Sequence, residues 1–185
     1  MELLWDLLTS KKGGLIVENL EIILSDFNKR ELNKLVYDEL KLSTLKLKSS
    51  HFFDNISEKD LDFSQVKNIE GILSPKGTGN IFIEELQLGI PLKNVVIVFS
   101  FDEQDGDIVF NFPENEILKD GADDNKLRLK KIVRFLVYLK KNYDIPKIIV
   151  GYEPAADEDT MLLEINHKVT NYDKEIEKLL CYLEF

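Results

Sequence analysis

Residues 93–118 read KNVVIVFSFDEQDGDIVFNFPENEIL: an unbroken apolar run, an acidic turn, and then a run in which Ile108, Phe110 and Phe112 share one side. Side chains alternate faces along a strand, so the pattern predicts a β-hairpin with Asp102–Gly106 as a loop of about five residues. Val95–Phe101 is apolar at odd and even positions alike, which predicts a central strand covered on both faces.

Beyond Pro113 an acidic loop leads to Asp123 or Asp124, either of which can cap a helix running to about Asn142, stopped by Asp144-Ile145-Pro146. On a helical wheel Leu129, Ile132, Val133, Phe135, Leu136 and Leu139 form one apolar arc, with Lys126, Lys130, Lys131, Arg134 and Lys141 mostly opposite, so this helix is expected to lie across a sheet. Lys147–Tyr152 and Met161–Asn166 read as strands around the polar loop EPAADEDT. Thr170 or Asn171 can cap a last helix whose core face is Ile176, Leu179, Leu180 and Leu183.

Toward the N-terminus, SPKGTGN at 74–80 is the strongest turn signal, leading into a strand at Ile81–Leu88, and Pro91 marks a further turn. Ile69–Leu73 reads as a short strand. His51–Gln65 reads as a packed loop with Phe52, Phe53, Ile56, Leu61 and Phe63 as scattered anchors, and Leu42–Lys48 has strand character at its end. A helix over Asn28–Leu40 would align Leu32, Leu35, Val36 and Leu40. Leu15–Leu24 reads as extended, ending at Ser25 or Asp26, and Met1–Thr9 as either a short helix or a strand. The order of elements predicts an α+β fold, a mainly antiparallel sheet packed by a long helix and a C-terminal helix, in one domain spanning residues 1–185.

The chain is 44% hydrophobic and 31% charged, the balance of an ordinary globular protein with a core and a solvated surface. Lys and Arg total 24 against 34 Asp and Glu, a net charge of −10, which disfavours nucleic acid and anionic membrane as partners and favours a basic one. One cysteine, Cys181, permits neither an intramolecular disulfide nor a multi-cysteine metal site. Glu2 and Asp6 stand where a signal peptide would carry positive charge, and no apolar run approaches membrane-spanning length. A cytoplasmic location is therefore expected, with signal-independent export left open.

No chemical motif survives inspection. Pro75-Lys76-Gly77-Thr78-Gly79-Asn80 has closely spaced glycines, but a phosphate loop needs Lys and Ser or Thr after its last Gly and a helix beyond, and Asn80 enters a strand. Asp102, Glu103, Asp105 and Asp107 crowd one turn without the EF-hand order. His51 and His167 have no histidine at helical spacing, Cys181 sits among apolar and acidic neighbours, and no Gly-x-Ser-x-Gly elbow exists. No metal and no cofactor are implied.

Charge is segregated instead. Residues 102–124 hold nine acids and one base, Lys119; residues 126–141 hold seven bases and no acid; residues 153–164 hold five acids and no base. The basic helix face reads as a solvated surface pairing with nearby carboxylates, its last lysines complementing the helix dipole. The acidic loops, gathered at one sheet edge, would steer a basic partner, although solubility accounts for them equally well. Asp102, Glu103, Asp105, Asp107, Asp120, Asp123, Asp157, Glu158 and Asp159 are the candidate partner-binding residues on this reading.

The stretch from about Val95 to Leu118, with FDEQDGDIVFNFPENEI in its hairpin, resembles bacterial immunity proteins of polymorphic toxin and contact-dependent inhibition systems, in which an aspartate-glycine turn leads into an alternating strand and a proline-acid exit. The resemblance implies a cytoplasmic, non-enzymatic protein that binds one cognate toxin domain and blocks it, at its active site or at a remote surface. It carries over no fixed contact residues. Two rivals stay open: an enzyme or small-ligand protein whose site assembles from distant residues, and a subunit that oligomerises through a strand edge.

Overall fold

The computed structural model describes residues 18–118, 121–168 and 172–183. The expectations for Met1–Thr9, for Thr170 or Asn171 as a cap, and for the side chains of Leu180, Cys181 and Leu183 lie outside them. Among the described residues eight strands form one antiparallel sheet: β1 (Asn19–Asn28), β2 (Leu47–Asp54), β3 (Lys59–Leu61), β4 (Gly77–Gln87), β5 (Pro91–Phe101), β6 (Asp105–Pro113), β7 (Lys147–Tyr152) and β8 (Met161–Ile165). They lie in the order β3-β2-β4-β5-β6-β1-β7-β8. The fold is α+β but mostly sheet.

The β5–β6 hairpin sits near the centre of the sheet and is tighter than its composition predicts. The connection is Asp102–Gln104, closed by the Asp102 N–H donating to the Asp105 carbonyl at 2.9 Å, and Gly106 already pairs with Phe101. A Cβ on Gly106 would stand 2.2 Å from the Ser100 carbonyl oxygen, so only glycine lets the strands close here. Ile108, Phe110 and Phe112 are all buried.

β1 enters between β6 and β7, so a strand from the start of the chain completes the middle of the sheet. Leu20, Ile22 and Leu24 face the core, and then a bulge between Leu24 and Phe27 puts Asp26 at φ 54°. The extra residue shifts the alternation, so that Phe27 rather than Asp26 enters the core. Asp is among the few side chains that tolerate this backbone region. Ser25 and Asp26 thus belong to the strand and cap no helix; the cap falls to Asn28, whose side chain accepts from the Arg30 N–H.

The helical segment after β1 is irregular, a 3₁₀ turn at Lys29–Glu31 followed by a π-helical stretch at Lys34–Glu39. It nevertheless buries Leu32, Leu35, Val36 and Leu40, the four residues aligned by its periodicity. Two expectations are corrected nearby. His51–Gln65 is not a loop but holds the second half of β2, all of β3 and a 3₁₀ turn at Phe63–Gln65; Phe52 and Phe63 are buried anchors, whereas Phe53 and Ile56 are exposed. Ile69–Ile72 is a helical turn, not a strand, because Asn68 accepts from the Gly71 N–H and starts it.

Helix α1 spans Ala122–Asn142 and α2 spans Tyr172–Leu183. Leu129, Ile132, Val133, Leu136 and Leu139 of α1 are buried in the main core, while Phe135 is only partly so. Gly121 precedes α1 with no side-chain cap; Asp123 and Asp124 lie in the first turn, where their charge complements the helix dipole. Lys130 pairs with Asp173 of α2 at 3.3 Å and Lys126 pairs with Glu177, so part of the basic face meets carboxylates as its pattern predicts. The short helical turns share the sheet's core face with α1, so the long helix is one cover among several.

Among the described residues the two-sided coverage predicted for β5 does not occur. Val95, Ile97, Phe99 and Phe101 are buried, but Val96 and Val98 are half-buried and Ser100 is exposed. The main core lies on one face of the sheet, where each fully buried leucine or phenylalanine contributes about 1.5–3 kcal/mol. On the other face the loop at 153–160 covers only part of β1 and β7, packing Ala155 on Ile23 and Ile149.

Candidate functional site

The β5–β6 turn and the β1 bulge build one acidic cleft. Asp26, eighty-one residues away in sequence from Asp107, donates its backbone N–H to the Asp107 Oδ1 at 3.1 Å. These two with Asp102 and Asp105 line a cleft of about 570 Å³, whose other walls include Phe53, Lys76, Thr78 and Ser100. Asp26 and Asp105 also line an adjoining cleft of about 390 Å³ with Glu70 and Glu103. Six carboxylates therefore face two continuous hollows that hold three basic side chains, Lys29, Arg30 and Lys76.

The bases leave most of this charge available. Lys76 lies 3.2 Å from Asp102 with both side chains well exposed, a pair that water screens to little net value. Lys29 is turned inward, 3% exposed, its ammonium donating to the Leu73 carbonyl at 3.1 Å and the Pro75 carbonyl at 2.8 Å. Burial lowers its pKa, opposed by the nearby charges of Asp102, Glu70, Glu103 and Asp105. Its backbone N–H also donates to the Gln104 carbonyl at 2.9 Å, so Lys29 ties the hairpin turn to the Ser74-Pro75 segment beneath the cleft.

The nine candidate residues do not come together. Asp102, Glu103, Asp105 and Asp107 are exposed around the hairpin turn. Asp157, Glu158 and Asp159 are exposed on the loop between β7 and β8, at the other end of the sheet: Asp105 is opposite Asn28 of β1, whereas Tyr152 is opposite Leu20. Eight residues of strand separate these positions, about 25 Å. Asp123 stands in the first turn of α1, and Asp120 lies outside the described residues. The expectation that the acidic loops gather at one sheet edge is thus corrected: strand order places the two hairpin connections at opposite ends.

That second loop is firmly seated. The Ala155 N–H donates to Glu21 Oε2 at 2.9 Å, while Glu21 Oε1 accepts from Asn111 Nδ2 at 3.4 Å. A Cβ on Gly151 would lie 2.5 Å from the Thr160 carbonyl, so the absence of a side chain lets the loop fold onto β7. Sequence reasoning overlooked Asp26, Lys29 and Glu21. Asp26 had a signal, two polar residues interrupting an apolar alternation, which marks a bulge as readily as a cap. Nothing in the local pattern around Lys29 foretells its carbonyl partners.

His51 makes a surface pair with Asp60 at 2.8 Å, and His167 is exposed. Among the described residues no group of three or more His, Cys, Asp or Glu is arranged to hold a metal ion.

The model of the PABL017 Cdi1I immunity protein family matches residues 18–168. The chain belongs to this family. The immunity protein also shares its fold with a chain of the crystal structure of the toxic C-terminal tip of CdiA from Pseudomonas aeruginosa in complex with immune protein, at TM-score 0.62 and 16% identity. That alignment covers 84% of the immunity protein and 98% of the other chain. No curated protein matches it. Among its described residues no helix is long and apolar enough to cross a membrane.

Proposed function

We propose that this immunity protein is a cytoplasmic, non-enzymatic inhibitor that neutralises one cognate toxin tip by stoichiometric binding, and that the acidic cleft at the β5–β6 turn steers a basic surface of that toxin. The family match over residues 18–168 carries the reading. The similar solved structure, a toxic tip of CdiA in complex with immune protein, supports it through the shared fold. Clustered like charge of this kind raises association rate more reliably than it raises affinity.

The experiment follows from that distinction. Inhibition of the purified cognate toxin tip should reach completion at one equivalent of the immunity protein, with no turnover of the toxin. Changing Asp102, Glu103, Asp105 and Asp107 together to Asn or Gln should slow association by roughly tenfold at low salt and flatten its salt dependence. An unchanged association rate and salt slope would remove the cleft from the toxin surface, while inhibition that persists at substoichiometric amounts would contradict simple binding.

A further inference from the structure

We infer that the sheet face which no described helix covers is the surface on which the toxin tip seats, with Phe82, Val96, Val98 and Val109 at its centre and the carboxylates of the hairpin turn along one rim. The inference rests on the reading of the chain as a toxin-binding inhibitor and specifies which surface does the binding.

Register puts these side chains side by side. Val96 is opposite Phe82 on β4 and Asn111 on β6; one step along, Val98 is opposite Asn80 and Val109. All four central residues are only half-buried, on the side of the sheet away from the main core. Val109 also touches the small Ile23–Ile149–Ala155 cluster and the Lys48 ammonium lies 4.5 Å above the Phe82 ring, yet all four side chains stay partly exposed and together form an apolar patch outside the main core. Asn111, 6% exposed, continues the Phe82–Val96 row toward β1, where its Nδ2 donates to Glu21 Oε1.

The patch is continuous with the acidic cleft. Ser100 is opposite both Thr78 and Asp107, and these three residues line the cleft while occupying the next row of the same face. An apolar centre with a charged rim is the usual anatomy of a protein–protein interface. Charge selects the occupant. A second copy of this chain, with a net charge of −10, would set carboxylates against carboxylates along the rim; a partner with an apolar centre and a lysine- or arginine-rich margin matches both parts. Rim and centre then divide the work, the carboxylates governing encounter and the valines governing residence.

The test titrates the purified cognate toxin tip against the full-length chain. Val98→Lys and Val109→Lys should each weaken binding at least about 100-fold, mainly by faster dissociation, because each buries an unpaired charge at the centre. Val98→Thr, which keeps the branched shape, should lose less than about tenfold, and thermal unfolding of the free Val98 variants should stay near that of the parent. In the unsubstituted complex, hydroxyl-radical footprinting should show Phe82 protected, a readout independent of variant folding. Folded lysine variants that keep parental affinity, or an unprotected Phe82, would overturn the inference while leaving the inhibitor reading intact. A parent chain that fails to bind the tip at all would overturn both. A free chain that is a dimer by light scattering and becomes a monomer with Val98→Lys would assign the face to self-association and overturn it as well.

Discussion

Tyr143 shows how burial of single groups sets the response of this protein to pH. It is 5% exposed, its ring 5.7 Å from that of Phe27, and burial, reinforced by Glu39, pushes its phenol up to about 12. Tyr152 reaches about 12 as well, through burial and then through Glu114 beside it. The folded chain holds both protons more tightly than the unfolded chain, so this stabilisation is complete below the ordinary tyrosine value of 10.0 and is lost as pH rises through about 12. Lys29 has the opposite sign: its pKa is lowered, so its contribution grows with pH, but only up to the ordinary lysine value of 10.5. Between pH 10.5 and 12 the tyrosines govern. Urea unfolding free energy should fall across that interval, less steeply in Tyr143→Phe and Tyr152→Phe, and tyrosinate absorbance should lose its latest-titrating component in those variants.

Among the elements, β2 and β4 meet at a contact that tests how the sheet is built. Gly79 of β4 lies opposite Phe52 of β2, and a Cβ there would stand 2.2 Å from the Phe52 ring. That ring is held in place by Phe63 and Phe99, each with its centroid 6.0 Å away. Alanine normally suits a strand better than glycine, so propensity alone predicts that Gly79→Ala stabilises. Overpacking against a ring that cannot retreat predicts the reverse, a loss of about 1–3 kcal/mol, and the urea midpoint decides the sign. Adding Phe52→Leu should recover part of the loss, since the two sites are in contact. The same pair explains a misreading: SPKGTGN has turn composition, yet the strand starts at Gly77 because an aromatic side chain from β2 occupies the space a glycine leaves. Likewise β3 is three residues long, too short for alternation to reveal, and Ile69–Ile72 is apolar enough for a strand but is wound into a helical turn by Asn68.

For the whole molecule, one buried cluster runs from Leu20 of β1 to Leu179 of α2 and includes residues of β2, β4, β5, β6, β7 and β8. We propose on that basis that residues 1–185 form one cooperative unit. Urea unfolding followed by circular dichroism and by Tyr fluorescence should give coincident single transitions; separated midpoints would divide the chain into two units.

Local pattern by itself determined a good deal of this protein. The alternation of Ile108, Phe110 and Phe112, the apolar arc of α1, the extents of β7 and β8, and the acidic character of the β5–β6 turn were all legible, because each depends on neighbours within a few residues and on the fixed periods of strand and helix. The central hairpin also resembles immunity proteins, the family whose model the chain matches. Tertiary structure decided what local period does not encode: that β1 inserts between β6 and β7, that Asp26 therefore lands beside Asp107, that the acidic loops part to opposite ends of the sheet, and that Val96 and Val98 face away from the core. Those outcomes depend on strand order and on how many helices are available to cover two faces. With the main core on one face, a strand apolar on both sides keeps half of its apolar surface outside that core.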